Sequence, residues 1–213
     1  MSAPVVHVVD DDEAMRVALA RLLRAEGHEV RTYASAGDFL LNSLDQGPGC
    51  VVLDLQMPGP SGLELQEALQ RLPIPLPVVF LTGRGDVASS VRAMKSGAVD
   101  FLTKPVEPAV LLNAVETALV RDRAARSLRE SMSVAQQRYA SLTERERSVF
   151  AYVVAGTLNK QIAGKLGITE RTVKMHRAQV MTKMGVGSIA ELVHLADTLG
   201  HSRIPSQSLP PEA

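Results

Sequence analysis

The stretch Cys50-Val51-Val52-Leu53-Asp54 decides the fold, because an unbroken apolar run stops abruptly at a carboxylate. A short run of this kind is typical of a strand that is buried on both faces of a parallel sheet. The carboxylate would then stand at the carboxyl end of the strand, where parallel α/β sheets collect their chemistry. This stretch predicts a central strand with a reactive group at its end.

Similar strand-like runs lie on both sides of this stretch, and helical patterns separate them. After the first run, apolar residues recur at spacings of three and four, as they do on an amphipathic helix. Five strands alternating with five helices predict an α/β fold with a doubly wound, five-stranded parallel sheet. The other strand candidates are 5–9, 29–33, 77–82 and 99–103.

Polar residues follow four of the predicted strands, so we expect them to meet at one edge of the sheet. They are Asp10-Asp11, Asp54, Thr82 and Lys104. Three carboxylates this close would repel one another, and Mg²⁺ would relieve the repulsion because it binds carboxylates, waters and phosphate oxygens. With Lys104 as a second positive charge, the site suits transfer of a phosphoryl group to Asp54. Thr82 can then donate a hydrogen bond to the acyl phosphate.

The motifs around these residues resemble a receiver domain of the CheY-like superfamily over roughly the first 120 residues. Two further segments, residues 82–87 and 97–101, resemble the FixJ branch of that superfamily in particular. The motifs are Val8-Val9-Asp10-Asp11, Leu53-Asp54-Leu55-Gln56-Met57-Pro58-Gly59, Leu81-Thr82-Gly83 and Lys104-Pro105.

The resemblance implies a flavodoxin-like receiver fold in which Asp54 is the phospho-acceptor. It implies that Asp11 binds Mg²⁺ directly and Asp10 through a water, and that the main-chain carbonyl of Gln56 completes the protein ligands. It also implies a cis Lys104–Pro105 bond. The switch residues would be Thr82, Phe101 and Lys104.

The second half of the chain predicts a compact helical unit. Its central helix runs from Thr169, which caps the N-terminus, to Met184. Without the motifs described next, a generic helix bundle and a helix-turn-helix explain this pattern equally well. The apolar residues spaced to form a core are Ile162, Ala163, Leu166, Ile168, Val173, Val180 and Met184. The basic residues expected to face outward are Arg171, Lys174, Arg177 and Lys183.

Motifs between about residues 138 and 200 resemble a LuxR-type helix-turn-helix domain. They include Leu142-Thr143-Glu144-Arg145-Glu146, Asn159-Lys160-Gln161-Ile162-Ala163 and Arg171-Thr172-Val173-Lys174-Met175-His176-Arg177. The resemblance implies that the last helix mediates dimerisation on DNA. It implies base contacts by Lys174, Met175, Arg177 and Ala178. It implies backbone contacts by Lys160, Thr172 and His176.

One position departs from the family pattern, because Leu158 stands where a helix-capping Ser, Thr or Pro is usual. We expect the cap to shift to Thr157 or Asn159.

The domain boundaries follow from these two resemblances. We assign residues 1–121 to the receiver, 122–140 to a helical linker, 141–200 to the helix-turn-helix domain and 201–213 to a disordered tail. The linker carries a heptad-like apolar ladder, which fits a dimeric coiled coil and a single helix lying on its own domain equally well. The ladder is Ala125, Leu128, Met132, Ala135, Tyr139 and Leu142.

Composition excludes several other classes of protein. The net charge is zero, but residues 1–121 hold 15 acidic and 10 basic residues, whereas the rest holds 8 and 13. A basic C-terminal half is consistent with a polyanionic partner there. Cys50 is the single cysteine, so neither a disulfide within the chain nor a cysteine zinc site is expected. No secretory signal and no apolar run of the roughly 18 residues that a membrane span needs are found, so a cytoplasmic protein is expected.

These observations predict a transcription factor that is switched by phosphorylation and is not an enzyme. Its partners would be a sensor histidine kinase, promoter DNA, RNA polymerase and, after phosphorylation, a second copy of the chain. Dimerisation would use a face carrying Val91, Arg92, Lys95 and Asp100, and release of an inhibited DNA domain is the competing mechanism.

Two other functions fit these residues less well. An aspartyl-phosphate phosphatase of the haloacid dehalogenase type needs a second Asp two residues after the nucleophile, where this chain has Gln56. A scaffold with a silent receiver would not need the acidic pair, Thr82 and Lys104.

Overall fold

The computed structural model describes residues 3–42, 47–72, 74–83 and 87–201. The chain forms two compact units, Met1–Ser127 and Leu128–Ala213. The tail expected to be disordered lies outside the described residues apart from His201, as do residues 84–86 of the FixJ-like segment. Among the described residues, no helix combines the length and apolar character that crossing a membrane requires.

The first unit is built on a five-stranded parallel sheet in the order β2-β1-β3-β4-β5. This order confirms the doubly wound α/β fold expected from the sequence, with the reversal of strand order beside β1. The strands are β1 (Val5–Val9), β2 (Glu29–Tyr33), β3 (Gly49–Leu53), β4 (Val78–Thr82) and β5 (Asp100–Thr103). The helices are α1 (Glu13–Ala25), α2 (Ala36–Asn42), α3 (Gly62–Gln70), α4 (Val87–Lys95) and α5 (Pro108–Ala140).

An apolar core lies on each face of the sheet, because neighbouring residues of a strand point to opposite sides. On one face, Val52 and Leu81 pack with Leu23 of α1 and Leu111 of α5. On the other face, the core is formed by Val51, Leu53, Phe80, Phe39 of α2, Leu65 of α3 and Ala93 of α4. Every residue of β1, β3 and β4 is buried, which explains their unbroken apolar sequences.

The second unit contains α6 (Glu144–Val154), α7 (Asn159–Leu166), α8 (Glu170–Met184) and α9 (Ile189–Thr198). Helices α6 and α8 begin with hydroxyl caps, since Thr143 accepts from the main-chain N–H of Glu146 and Thr169 from that of Thr172. The core predicted from the sequence is confirmed. Ile162, Ala163, Val173, Val180 and Met184 are buried together, and Leu166 and Ile168 pack against them.

The start of α7 differs from expectation. Its N-cap residue is Leu158 itself, with no side-chain cap, and neither Thr157 nor Asn159 takes that role. Instead the side chain of Gln161 reaches back and accepts a hydrogen bond from the main-chain N–H of Leu158 at 3.2 Å. That contact fixes the chain leading into the helix but leaves the first-turn N–H groups without a side-chain acceptor.

The apolar ladder of the linker lies in α5 except for its last residue, and its members differ in what they pack against. Leu142, just after the helix, belongs to the core of the second unit, and Tyr139 packs against that core, with its ring 5.2 Å from that of Phe150. Leu128 is exposed. The last positions of the ladder are therefore occupied within their own unit, which favours the single-helix interpretation there.

Candidate functional site

The polar residues at the strand ends of the first unit lie together at the carboxyl edge of the sheet. Asp10 and Asp54 directly follow β1 and β3, which pair in parallel with Val9 opposite Leu53. The main-chain N–H of Asp54 donates to the carbonyl of Val9 at 2.8 Å, so the ladder continues into the site. The structure thus brings together the residues that the sequence placed at this edge.

Lys104 places a positive charge between two carboxylates of this site. Its Nζ donates to Oδ2 of Asp10 at 2.6 Å and to Oδ2 of Asp54 at 3.0 Å. Its main-chain N–H donates to the carbonyl of Thr82 at 2.8 Å, which ties β4 to the segment after β5. The Lys104–Pro105 peptide bond is cis, as the family resemblance implied.

Burial and hydrogen bonding have opposite effects on the pKa values of these groups. Burial raises the pKa of Asp10 above its usual range, although its hydrogen bond to Lys104 acts to lower it. Burial acts to lower the pKa of Lys104, but the hydrogen bonds to Asp10 and Asp54 outweigh it, so that pKa is raised. Lys104 is therefore held as a cation between two carboxylates.

The carboxylates also form a candidate metal site. Asp10, Asp11 and Asp54 each offer an oxygen, and these oxygens lie within 4.8 Å of one another. Asp10 and Asp54 are buried, whereas Asp11 is exposed, so the group opens to solvent on one side. An all-oxygen, anionic donor set of this kind fits a hard cation such as Mg²⁺. Gln56 is also exposed, and its main-chain N–H donates to Oδ1 of Asp54 at 3.3 Å.

Two residues that the sequence analysis did not identify shape the site. Arg16 of α1 donates from Nη1 to the carbonyls of Asp10 and Asp11, at 2.7 and 2.9 Å, and holds the acidic turn in place. Gly62 begins α3 against the chain beside Asp54, where a Cβ atom would stand 2.3 Å from the Asp54 carbonyl oxygen. Only glycine lets α3 start so close to the acceptor.

The residues expected to relay the signal differ in how deeply they are buried. Thr82 is buried at the end of β4. Phe101 is half-buried, and its ring lies 5.9 Å from that of Phe80. The residues expected to form the dimer face are accessible, since Val91, Arg92 and Lys95 are exposed and Asp100 is half-buried.

In the second unit, α8 turns one face toward solvent. With about 100° of rotation per residue, Met175 and Ala178 point roughly 160° and 140° away from the direction of buried Val173, and Lys174 roughly 100°. All three side chains are exposed. Lys160 is exposed too, and Thr172 and His176 are half-buried.

Two of the four basic residues expected to face outward are only half-exposed and form hydrogen bonds within the unit. Lys183 donates from Nζ to Oε2 of the buried Glu146 at 2.6 Å, joining the end of α8 to α6. Arg177 donates from Nη1 to Oδ1 of Asn159 at the start of α7. Buried or half-buried partners explain both departures, because a long side chain beside the core pairs with a polar group that would otherwise be unsatisfied.

The parallel sheet and its acidic edge are those of a receiver, and family matches cover both units of the chain. Residues 6–116 match the response regulator receiver domain, and residues 140–196 match the luxR family of bacterial regulatory proteins. The chain belongs to the response regulators that combine these two domains, and so it is a DNA-binding transcriptional regulator of a two-component system.

Several relatives match this chain over most of its length. Nodulation protein W of Bradyrhizobium diazoefficiens is 43% identical over 198 residues, which is 93% of this chain and 87% of that protein. The transcriptional regulatory protein FixJ of Azorhizobium caulinodans is 44% identical over 191 residues, 90% of each chain. The solved structure of the response regulator StyR is 47% identical, with a TM-score of 0.83 over 92% of this chain and 99% of that one.

Proposed function

We propose that a sensor histidine kinase phosphorylates this chain on Asp54, and that the phosphorylated protein binds promoter DNA more tightly. The observation that carries the proposal is the position of Lys104, whose ammonium lies within 3.0 Å of both Asp10 and Asp54. A cation fixed beside an acceptor carboxylate is suited to neutralise an incoming phosphoryl group.

In the proposed transfer, an oxygen of Asp54 attacks phosphorus while the bond from phosphorus to the donor histidine nitrogen breaks. Asp10, Asp11, Asp54 and the main-chain carbonyl of Gln56 would hold Mg²⁺, which supplies further neutralising charge when it is bound. Lys104 contacts a phosphoryl oxygen, and Thr82 donates a hydrogen bond to another. The exposed side of the site, at Asp11, admits the donor.

Phosphorylation is proposed to change the activity of the protein itself, and the chain is not proposed to hydrolyse small phosphoesters. A phosphatase using an aspartyl intermediate needs a general acid two residues after its nucleophile. Gln56 occupies that position, and its amide has no acidic proton. We infer that the chain works in the cytoplasm, where promoter DNA and RNA polymerase are its partners.

For DNA recognition, the exposed face of α8 supports base contacts by Lys174, Met175 and Ala178. Lys174 can donate to acceptors on base edges, and Met175 can contact a thymine methyl group. Lys160, Thr172 and His176 are proposed to contact the backbone. This assignment rests on the family resemblance together with their exposure or partial exposure.

The test is phosphorylation by acetyl phosphate, with and without Mg²⁺, followed by DNA binding. The wild-type protein is expected to gain one phosphoryl group in the presence of Mg²⁺ and then to bind selected promoter DNA more tightly. Asp54→Asn, which is nearly isosteric, is expected to fold normally and to gain neither. Labelling of Asp54→Asn at the wild-type level would contradict the assignment of the acceptor.

A further inference from the structure

The side chain of Arg177 leaves α8 on the flank that faces the protein core. It lies four positions after Val173, so about 100° of rotation per residue places it only about 40° from that buried residue. Val180 and Met184 are buried on the same side. From this direction Lys174 is about 60° away and Ala178 and Met175 are about 100° and 160° away, so Arg177 lies at the edge of their face that is nearest the core.

Asn159 receives the guanidinium of Arg177 where α7 begins. The two side chains, 18 residues apart in sequence, are joined by the hydrogen bond from Nη1 to Oδ1. Both are half-buried, so water competes less for this contact than it would at a fully exposed surface. Asn159 therefore fixes one end of a side chain that otherwise has many rotamers.

The held guanidinium lies in a groove that also contains the first turn of α7. The groove has a volume of roughly 400 Å³, and Lys160 and Leu158 line it together with Asn159 and Arg177. Because Leu158 provides no side-chain cap, the first-turn N–H groups of α7 lack that acceptor. An arginine, a lysine and an uncapped helix start in one groove together favour a phosphate oxygen.

Glu170 lines the same groove and is the natural competitor for Arg177. In the described part of the chain, however, no ion pair joins Glu170 to Arg177 within 4.0 Å. The neutral acceptor on Asn159 orients the guanidinium without cancelling its charge. That charge stays available to an anion outside the protein.

We propose that Asn159 is a positioning residue that holds Arg177 for a DNA phosphate beside Lys160, so that Arg177 contacts the backbone and does not read a base. The inference rests on the proposed DNA-binding function of α8 and replaces the base contact that the family resemblance implied for Arg177. Among the residues proposed for base contacts, Lys174 is then the single charged one. Discrimination between sequences would depend on Lys174, supported by Met175 and Ala178.

The experiment measures binding of the full-length, phosphorylated protein to a selected DNA site, to its single-base variants and to random duplex, over a series of salt concentrations. Arg177→Gln is expected to weaken binding to every duplex by the same factor, about tenfold, as for one charge-assisted hydrogen bond. The slope of log affinity against log salt should fall by about one. Arg145→Gln, which removes an exposed arginine of α6, is the matched control and should leave both quantities near their wild-type values.

Asn159→Ala separates positioning from charge. It is expected to weaken binding to all duplexes by a smaller factor, with the salt slope close to that of the wild type. The double variant Asn159→Ala/Arg177→Gln should match Arg177→Gln within about twofold, because Asn159 acts through Arg177. Arg177→Lys keeps the charge and should keep the slope, and thermal unfolding of each variant checks that it is folded.

Three outcomes would overturn the inference. If Arg177→Gln loses discrimination at one base pair, Arg177 reads that base. If the two single losses add fully in the double variant, Asn159 does not act through Arg177. If Arg177→Gln leaves affinity and slope unchanged, Arg177 does not contact DNA. Failure of the wild-type protein to bind any duplex would instead contradict the proposed function itself.

Discussion

At the scale of single residues, Lys104 has two partners now and would have a third after phosphorylation. It donates to Asp10 and Asp54 in the present structure. A phosphoryl group on Asp54 would compete for the same ammonium. The main-chain N–H of Lys104 also donates to the carbonyl of Thr82, which links this residue to the end of β4.

Lys104→Ala is therefore expected to uncouple phosphorylation from DNA affinity. The three carboxylates remain, so Mg²⁺ binding should persist, as a metal titration would show. Phosphorylation should no longer raise DNA affinity, because no cation draws the phosphoryl group toward the segment after β5. A normal rise in the affinity of phosphorylated Lys104→Ala for DNA would show that the signal bypasses this residue.

The two lysines proposed to contact DNA should behave differently when they are removed. Lys174→Ala is expected to cost about 1–3 kcal/mol of discrimination at one base pair, because base contacts specify sequence. Lys160→Ala should weaken binding to all sequences and reduce the salt dependence, because phosphate contacts are independent of sequence. Equal losses for both variants on specific and random DNA would mean that the roles of α7 and α8 are misassigned.

The acidic site was predictable from the sequence because each of its residues follows a strand, and parallel strands end at one edge. Asp10, Asp54, Thr82 and Lys104 needed nothing more than that rule. Arg16 and Gly62 were missed, since their roles depend on how closely α1 and α3 approach the site in space. A glycine eight residues after the acceptor, at the start of a helix, was the one available signal for Gly62.

At the scale of elements, a salt bridge between α6 and α8 supports the second unit. Glu146 is buried and accepts from Nζ of Lys183 at 2.6 Å and from the main-chain N–H of Thr143 at 2.7 Å. The hydrogen bond from Lys183, with that from Thr143, holds the pKa of Glu146 below its ordinary value of 4.5. Sequence periodicity placed Lys183 on the solvent side because the spacing of residues within α8 contains no information about the approach of α6.

This pairing predicts a pH dependence of stability. A carboxyl group whose pKa is lowered by folding stabilises the protein fully above about pH 4.5, and that contribution is lost as pH falls through the lower folded value. Glu146→Gln is expected to reduce the free energy of unfolding by about 1.5 kcal/mol at pH 7, the lower end of the range for a hydrogen bond to a charged group, because Lys183 is partly exposed. The deficit should shrink below pH 4.5, as measured by denaturant unfolding of the second unit. A deficit that stays constant down to pH 3 would contradict this role for the carboxylate.

At the scale of the whole molecule, phosphorylation in one unit must change an equilibrium that the other unit also senses. The proposed two-state element is the face formed by α4 and β5, where Thr82 moves toward the phosphoryl group and Phe101 turns inward. The linker is expected to contribute less to dimerisation than its apolar ladder suggested, because Tyr139 and Leu142 pack in the core of their own unit. Ala125, Leu128 and Met132 span too few heptads for a stable coiled coil.

Dimerisation should therefore use the receiver face rather than the linker. Val91 is exposed on α4 beside Arg92 and Lys95, and Asp100 lies on the neighbouring strand. This mixture of apolar and oppositely charged side chains suits an isologous contact, which would align two recognition helices with half-sites about one helical turn apart.

Sedimentation with and without beryllofluoride should show a monomer becoming a dimer. Val91→Asp should prevent that change, whereas Leu128→Asp in the linker should not. A protein that stays monomeric with beryllofluoride and still gains DNA affinity would instead be activated by release of an inhibited DNA domain.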